Sequence, residues 1–126
     1  MVDLLPEEDK DIAFNYIIMN LLILALDRDI EAIRNSKLKL KEQHVLLMER
    51  VRDLAIKDSS KIKKETFRRG IKVFDKEIVN EDFVRYPYTI RGYESEFRCL
   101  VYALKTHTLK KLNYYYNLVV PNQDRT

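Results

Sequence analysis

Basic side chains cluster near the middle of the chain, close to the predicted end of its second helix. The cluster comprises Lys61, Lys63, Lys64, Arg68, Arg69 and Lys72. If such side chains share one face, they neutralise several phosphates and give salt-sensitive binding to nucleic acid. The alternative is a solvated helix end whose cations complement the negative end of the helix dipole. Asp58 and Glu65 dilute the positive charge, which favours the solvated end.

Tyrosines form the second group of residues with functional potential. The predicted protein interface comprises Tyr86, Tyr88, Arg91, Tyr93, Tyr114, Tyr115 and Tyr116. Tyrosine and arginine are enriched in interfaces because each combines a large apolar contact area with a polar tip. Alternatively, some of Tyr86, Tyr88 and Tyr93 are expected to pack over the helices of their own chain. Three consecutive tyrosines in a helix point to different sides, so at least one is expected to be exposed or at a subunit contact.

The sequence does not have the residue spacings of a catalytic or metal centre. Its one cysteine, Cys99, and its two histidines, His44 and His107, lack zinc-ligand spacing,. Gly70 and Gly92 stand alone, so a glycine-rich phosphate loop is not expected. Cys99 lies among apolar residues, where a thiol packs as a small apolar group. The sequence therefore predicts that the protein is not an enzyme, with no metal and no cofactor.

Length and composition predict one folded domain. The chain has 126 residues, of which 46% are hydrophobic and 34% charged, unlike a disordered sequence. A single domain is expected over residues 1–120, with a flexible tail over 121–126. The net charge of +3 is too small to steer partners over a long distance,. One cysteine and the absence of a secretory-signal pattern favour a cytoplasmic location.

The most apolar segment, Ile12 to Leu26, has to be weighed as a membrane span. Asn15 and Asn20 interrupt it, and charged residues begin at Asp27. It falls short of the roughly 20 apolar residues that a bilayer core requires. The segment therefore predicts a central core helix without membrane insertion.

The pattern of apolar residues predicts three long helices. The first begins near Pro6 and ends near Asn35, with apolar residues at alternating spacings of four and three,. The second ends at Gly70, a suitable C-terminal cap, and is expected to continue through the polar residues 58–60. The third is expected to begin after Gly92 and Tyr93, to include Phe97 and Leu100, and to end before residue 121.

Between the second and third helices the period changes from helical to alternating. Residues 71–90 contain two runs of β-forming side chains around a polar turn near Asn80, which predicts a small β-hairpin. Pro87 cannot donate a backbone hydrogen bond, so its strand is expected to be an edge, bulged or only partly paired. The predicted fold class is α+β, mainly α: three long helices with a small hairpin between the second and third.

Five short segments follow one another along the chain: Pro6-Glu7-Glu8-Asp9, Leu26-Asp27-Arg28-Asp29, Ile71-Lys72-Val73, Arg91-Gly92-Tyr93-Glu94 and the late tyrosine run. Together they resemble the YhjD-like family of small uncharacterised proteins from Bacillus-type bacteria. The resemblance covers nearly the whole chain and implies a bacterial or phage-borne origin. It supplies no activity, so no functional residue is carried over.

The sequence as a whole predicts a non-enzymatic accessory or regulatory protein. It is expected to act through protein–protein contacts and to form a homodimer through the exposed part of its tyrosines. The alternative is a nucleic-acid-binding protein that uses the basic end of the second helix.

Overall fold

The computed structural model describes residues 5–120 of the chain. The predicted tail at 121–126 lies outside the described residues. Within them, the elements in chain order are α1 (Glu7–Arg34), α2 (Lys41–Arg68), β1 (Ile71–Val73), β2 (Glu77–Ile78), β3 (Phe83–Ile90), β4 (Tyr93–Leu100) and α3 (Val101–Val119). Three helices with strands between the second and third were predicted and are found.

The two longest helices, α1 and α2, run antiparallel. Three ion pairs show this direction, because contacts late in α1 fall early in α2: Asp9–Arg69, Asp27–Arg52 and Arg34–Glu49. The largest core cluster lies between these helices. It is formed by Met19, Leu22, Leu26 and Ile30 of α1, by Val45, Met48, Val51 and Ala55 of α2, and by Tyr115 of α3.

The apolar segment Ile12 to Leu26 is a core element, as predicted. Ile17, Met19 and Leu22 are each at most 2% exposed. No helix within residues 5–120 combines the length and apolar character needed to cross a membrane.

The second helix runs unbroken through residues 58–60, as predicted from the phase of its apolar positions. Ser59 is only 4% exposed, so this polar stretch is part of the packed helix. Gly70 follows the C-cap with φ +66, a conformation that glycine adopts without strain. A Cβ at this position would lie 3.0 Å from Cγ of Arg91, so the helix end and the β3–β4 turn approach closely.

The sheet is built around β3. On one side β3 pairs with β4 along its full length, from Phe83 opposite Leu100 to Ile90 opposite Tyr93. On its other side it pairs with β1 and then with β2. All pairings are antiparallel, so four short strands form a sheet that is three strands wide.

Pro87 accounts for the gap between β1 and β2. The N–H of Phe74 donates to the oxygen of Pro87 at 2.9 Å, so the peptide groups of Pro87 face the side of β1 and β2. Proline has no N–H to return on that side, and β1 ends at Val73. The strand of Pro87 was predicted to be an edge, bulged or only partly paired. It is the central strand, and one side of it is only partly paired.

The predicted boundary between the sheet and the third helix is wrong. Residues Tyr93–Leu100 form β4, so Phe97 and Leu100 do not belong to α3, and the predicted hairpin is one part of a larger sheet. Arg91 and Gly92 have φ values of +48 and +87, as in the two-residue type I′ turn that reverses a strand. Charged side chains alternate with less polar ones along β4, and this two-residue period is typical of a strand and not of a helix.

The sheet packs its inner face on the helices and exposes its outer face. Val84, Tyr86, Tyr88 and Ile90 alternate along β3 and are buried. They pack in two clusters with α1 and with Leu104 at the start of α3. The outer face is polar. There Arg85 donates to Glu77 at 2.9 Å and to Glu96 at 3.1 Å.

Candidate functional site

Arg91, in the β3–β4 turn, ties the sheet to both long helices. Its Nη2 donates to Oδ2 of Asp9 in α1 at 2.7 Å, and its Nη1 donates to the backbone oxygen of Arg69 at 2.7 Å. Asp9 is only 3% exposed, and the bond from Arg91 lowers the pKa of its carboxyl group,. The sequence predicts Arg91 as an interface residue. The structure instead gives its guanidinium partners inside its own chain.

Two of the predicted phosphate-binding residues are bound to carboxylates of the same chain. Arg69 donates to Glu8 at 2.9 Å, to Asp9 at 3.0 Å and to Glu65 at 2.6 Å. Arg68 also donates to Glu65, and this bond is the main reason that the pKa of Glu65 is lowered to about 2. These contacts argue against a phosphate-binding role for both arginines.

The exposed basic face of α2 differs from the predicted one. Lys57, Lys61 and Lys64 are exposed and follow one another at spacings of four and three, which places them on one side of a helix. We call these three residues the lysine face. It extends over about 10 Å at 1.5 Å per residue. Phe67, three residues after Lys64, is 89% exposed beside it.

The two remaining predicted phosphate ligands do not belong to the lysine face. Lys63 is exposed but lies one residue from Lys64, so it points to a different side of α2,. Lys72 is in β1, where its Nζ lies 5.3 Å from the centre of the Phe74 ring. The structure therefore does not bring the six predicted basic residues together into one site.

Three of the predicted interface tyrosines are buried inside the chain. Tyr86, Tyr88 and Tyr115 are 8%, 2% and 2% exposed. The ring of Tyr88 stacks on that of Phe97 with centroids 4.4 Å apart. The hydroxyl of Tyr115 donates to Oδ2 of Asp58 at 2.6 Å, and burial, followed by this bond, raises the pKa of Tyr115. These three residues belong to the core, so their prediction as contact residues is corrected.

The other tyrosines of the prediction reach the surface. Tyr93 is 71% and Tyr114 55% exposed, and Tyr116 is half-buried against the core between α1 and α2. The three consecutive tyrosines therefore point to different sides of α3, as predicted from helix geometry.

An apolar surface that was not predicted lies at one end of the sheet. We call it the sheet-end patch. It consists of Ile78, Val79, Phe83, Leu100, Val101 and Tyr102, which are between 36% and 79% exposed. The prediction assigned residues 94–100 to a helix, which separated Leu100 from Phe83, so the patch was not predicted. The alternation along Tyr93–Leu100 was the signal that could have revealed it.

Backbone contacts bring the segments that carry the sheet-end patch together. Phe83 lies directly opposite Leu100 in the sheet. The N–H of Val79 donates to the oxygen of Phe83 at 3.0 Å, and the N–H of Val101 donates to the oxygen of Asp82 at 2.8 Å. The end of β2, the start of β3 and the start of α3 therefore meet in one place.

An open groove of about 490 Å³ lies between α1 and α3. It is lined by Asp11, Phe14, Asn15, Ile18, His107, Lys110, Lys111 and Tyr114. His107 meets the ring of Phe14 edge-on with centroids 5.1 Å apart.

Cys99 is buried elsewhere in the core, and burial raises the pKa of its thiol, so the reactive thiolate form is disfavoured. Residues 5–120 contain no group of three or more side chains placed to hold a metal ion.

The fold and these surfaces can be compared with known proteins. The model of the family described as "YhjD protein" matches residues 4–120. The chain belongs to the YhjD family. It is similar to "Uncharacterized protein YhjD" of Bacillus subtilis (strain 168), with 30% identity over 111 residues, which cover 88% of this chain and 92% of the relative. No solved structure matches the chain. The family resemblance predicted from short segments is therefore confirmed.

Proposed function

We propose that this YhjD-family chain is a non-enzymatic accessory protein that works through protein–protein contacts, as a homodimer. The single observation that carries the proposal is the sheet-end patch. Large exposed apolar side chains are ordinary when they are scattered, whereas a contiguous group of them is typical of an interaction surface.

The composition of the sheet-end patch suits an interface. Tyr102 is 79% exposed and Ile78 76%, so both leave most of their apolar surface in water. Burying apolar surface releases about 25 cal/mol per Å². Aromatic side chains at the centre of an interface often contribute more than the residues around them. A two-fold dimer covers such a patch in both subunits, because the two-fold axis repeats each contact.

Sedimentation velocity at micromolar concentrations tests this proposal. We expect the wild-type chain to sediment at about twice its 15.1 kDa mass and to dissociate on dilution. Tyr102→Lys is expected to weaken association about tenfold or more, because it places a charge where an aromatic side chain is buried. Leu46→Lys is the matched control, since Leu46 is an exposed apolar residue of α2 outside the patch.

Two outcomes would contradict the proposal. A wild-type mass that stays at that of one chain up to high micromolar concentration rules out the homodimer. A dimer that Tyr102→Lys leaves unchanged shows that the sheet-end patch does not carry the contact. Circular dichroism of each variant confirms that the fold is retained before the masses are compared.

Binding to nucleic acid is the second candidate, and the lysine face is the observation that favours it. Lys57, Lys61 and Lys64 make no ion pair within residues 5–120. The exposed ring of Phe67 lies beside them and resembles the aromatic platforms on which unpaired bases stack.

Fluorescence anisotropy with a labelled single-stranded oligonucleotide at several salt concentrations tests this second candidate. Affinity carried by the lysine face is expected to fall steeply with salt, and more so in the wild type than in Lys61→Glu/Lys64→Glu. Lys37→Glu/Lys39→Glu makes the same change in charge at exposed positions outside α2. Equal losses in both double variants would indicate a general charge effect and remove this candidate.

A further inference from the structure

The outer edge of β4 has backbone hydrogen-bonding groups that residues 5–120 do not use. β4 pairs with β3 on one side only. Across residues 5–120, the backbone hydrogen bonds outside the regular elements include none to the other side of Tyr93–Leu100. An eight-residue edge strand of this kind is a template on which another strand can pair.

The hairpin geometry determines which peptide groups point outward. Ile90 and Tyr93 close a two-residue turn, so they form a hydrogen-bonded pair,. Hydrogen-bonded positions recur at every second residue, and Val101 fits this series because its N–H donates back to Asp82. The peptide groups of Glu94, Glu96 and Arg98 therefore point away from β3.

We propose that β4 pairs with β4 of a second copy, antiparallel about a two-fold axis, with Glu96 of each chain opposite Arg98 of the other. This arrangement rests on the homodimer proposed above and specifies its contact. It joins the two sheets into one continuous sheet through a strand edge that has no partner strand among the described residues of either chain.

Charge selects this register over its neighbours. Outward-pointing peptide groups recur at every second residue of β4. The register of a two-fold pairing therefore changes only by two residues at a time, which we call one step. Moving one step in one direction keeps two opposite-charge pairs, Glu94–Arg98, but places Glu96 directly opposite Glu96, and one step in the other places Arg98 opposite Arg98. Like charges directly opposite in a sheet are destabilising, whereas opposite charges are favourable. The proposed register forms two Glu96–Arg98 pairs about the axis.

The same register also covers exposed apolar residues. It places Tyr93 of one chain opposite Val101 of the other, next to Tyr102. Tyr93 is 71% exposed and Tyr102 79%, so two exposed aromatic side chains gain a partner. Phe97, which is half-buried against Tyr88, lies on the axis opposite its own copy. The half of the sheet-end patch that belongs to β4 and α3 is thus continuous with the edge.

Charge reversal gives a specific test, read out as mass by sedimentation velocity. Arg98→Glu alone brings two acidic pairs together across the axis, and Glu96→Arg alone brings two basic pairs together. Each variant is expected to dimerise about tenfold or more weakly than the wild type. An equimolar mixture of the two is expected to form heterodimers, because every opposed pair then has opposite signs.

The outcomes separate this inference from the proposed function. If the wild type is monomeric, the homodimer itself fails, and the register with it. If the wild type is dimeric but both variants dimerise as well as it does, the homodimer stands and the β4 pairing is wrong. If both variants are monomeric and their mixture does not associate, β4 is close to the contact but the register is wrong.

A second measurement needs no variant, which matters because Glu96 and Arg98 also have partners inside their own chain. Glu96 accepts a hydrogen bond from Arg85 at 3.1 Å and lies 3.4 Å from the guanidinium of Arg98. Hydrogen exchange of the wild type is compared at low and high protein concentration. The amides of Glu94, Glu96 and Arg98 are expected to exchange at least tenfold more slowly at high concentration. The amide of Val73, on the opposite edge of the sheet, is the control. An equal decrease of the exchange rate at both edges of the sheet would overturn the assignment of the contact to β4.

Discussion

The carboxylate of Asp9 accepts a hydrogen bond at 2.7 Å from Arg91, a residue 82 positions away in the chain. The other oxygen of Asp9 accepts from Arg69 at 3.0 Å. One nearly buried carboxylate thereby joins the start of α1, the end of α2 and the β3–β4 turn. A buried charge is costly unless it is paired, and here both oxygens have cationic donors.

Removing the charge of Asp9 is expected to destabilise the fold. Asp9→Asn keeps the size of the side chain but leaves Arg69 and Arg91 without their shared anion. Because both arginines are partly solvated, we expect a loss of about 2 kcal/mol in the free energy of unfolding. Urea denaturation measures this loss. Glu7→Gln, at an exposed carboxylate in the same helical turn, is the control and should change stability by less than about 0.5 kcal/mol.

Stability is also expected to fall in acid. The pKa of Asp9 is lowered in the folded chain by its bond from Arg91, and that of Glu65 is lowered to about 2, chiefly by its bond from Arg68. A lowered folded pKa gives stability above the unfolded pKa, near 4, and that stability is lost as the pH falls through the folded value. The urea midpoint should therefore decrease between pH 5 and pH 2. In Asp9→Asn the decrease should be smaller, and an unchanged slope would contradict the assignment to Asp9.

Tyr115 is expected to stabilise the core through its hydroxyl as well as its ring. Tyr115→Phe removes the donor to Asp58 and should lower the free energy of unfolding by about 1 to 2 kcal/mol, because the acceptor is charged. Thermal or urea unfolding measures the change. The same substitution at exposed Tyr114 should have little effect. Since the pKa of Tyr115 is raised, wild-type stability should also fall as the pH rises above about 10, and less so in Tyr115→Phe.

The helices were predictable because their signals are local. The spacing of apolar residues along α1, the cap at Gly70 and the stop after α3 depend on neighbouring residues. The identity of β4 depended on two weaker signals, the alternation along Tyr93–Leu100 and the turn formed by Arg91 and Gly92. Without that turn, Phe97 and Leu100 fit a helical spacing to Val101 and Leu104, and the two patterns compete over the same residues.

The predicted site residues differed in outcome because burial is a tertiary property. The sequence correctly requires that Tyr114, Tyr115 and Tyr116 face different sides, but it does not say which side meets the core. The sequence shows that Arg69 and Arg91 are charged. It does not show that the fold brings Asp9, at the start of α1, into contact with both. Contacts between residues so far apart in the chain cannot be inferred from the spacing of neighbouring residues. The ion pairs of Asp9 with Arg69 and Arg91 were therefore not predicted.

Two phenylalanines with opposite surroundings provide the last prediction. Phe14 lies between the rings of Phe97 and His107, with centroids 5.6 Å and 5.1 Å away, whereas Phe67 is 89% exposed. Phe14→Ala leaves space among packed rings and should lower the free energy of unfolding by about 2 kcal/mol or more. Phe67→Ala should change it by less than about 0.5 kcal/mol. Both variants are measured by urea denaturation at one protein concentration, and similar losses in the two would contradict the packing of α1 against β4 and α3.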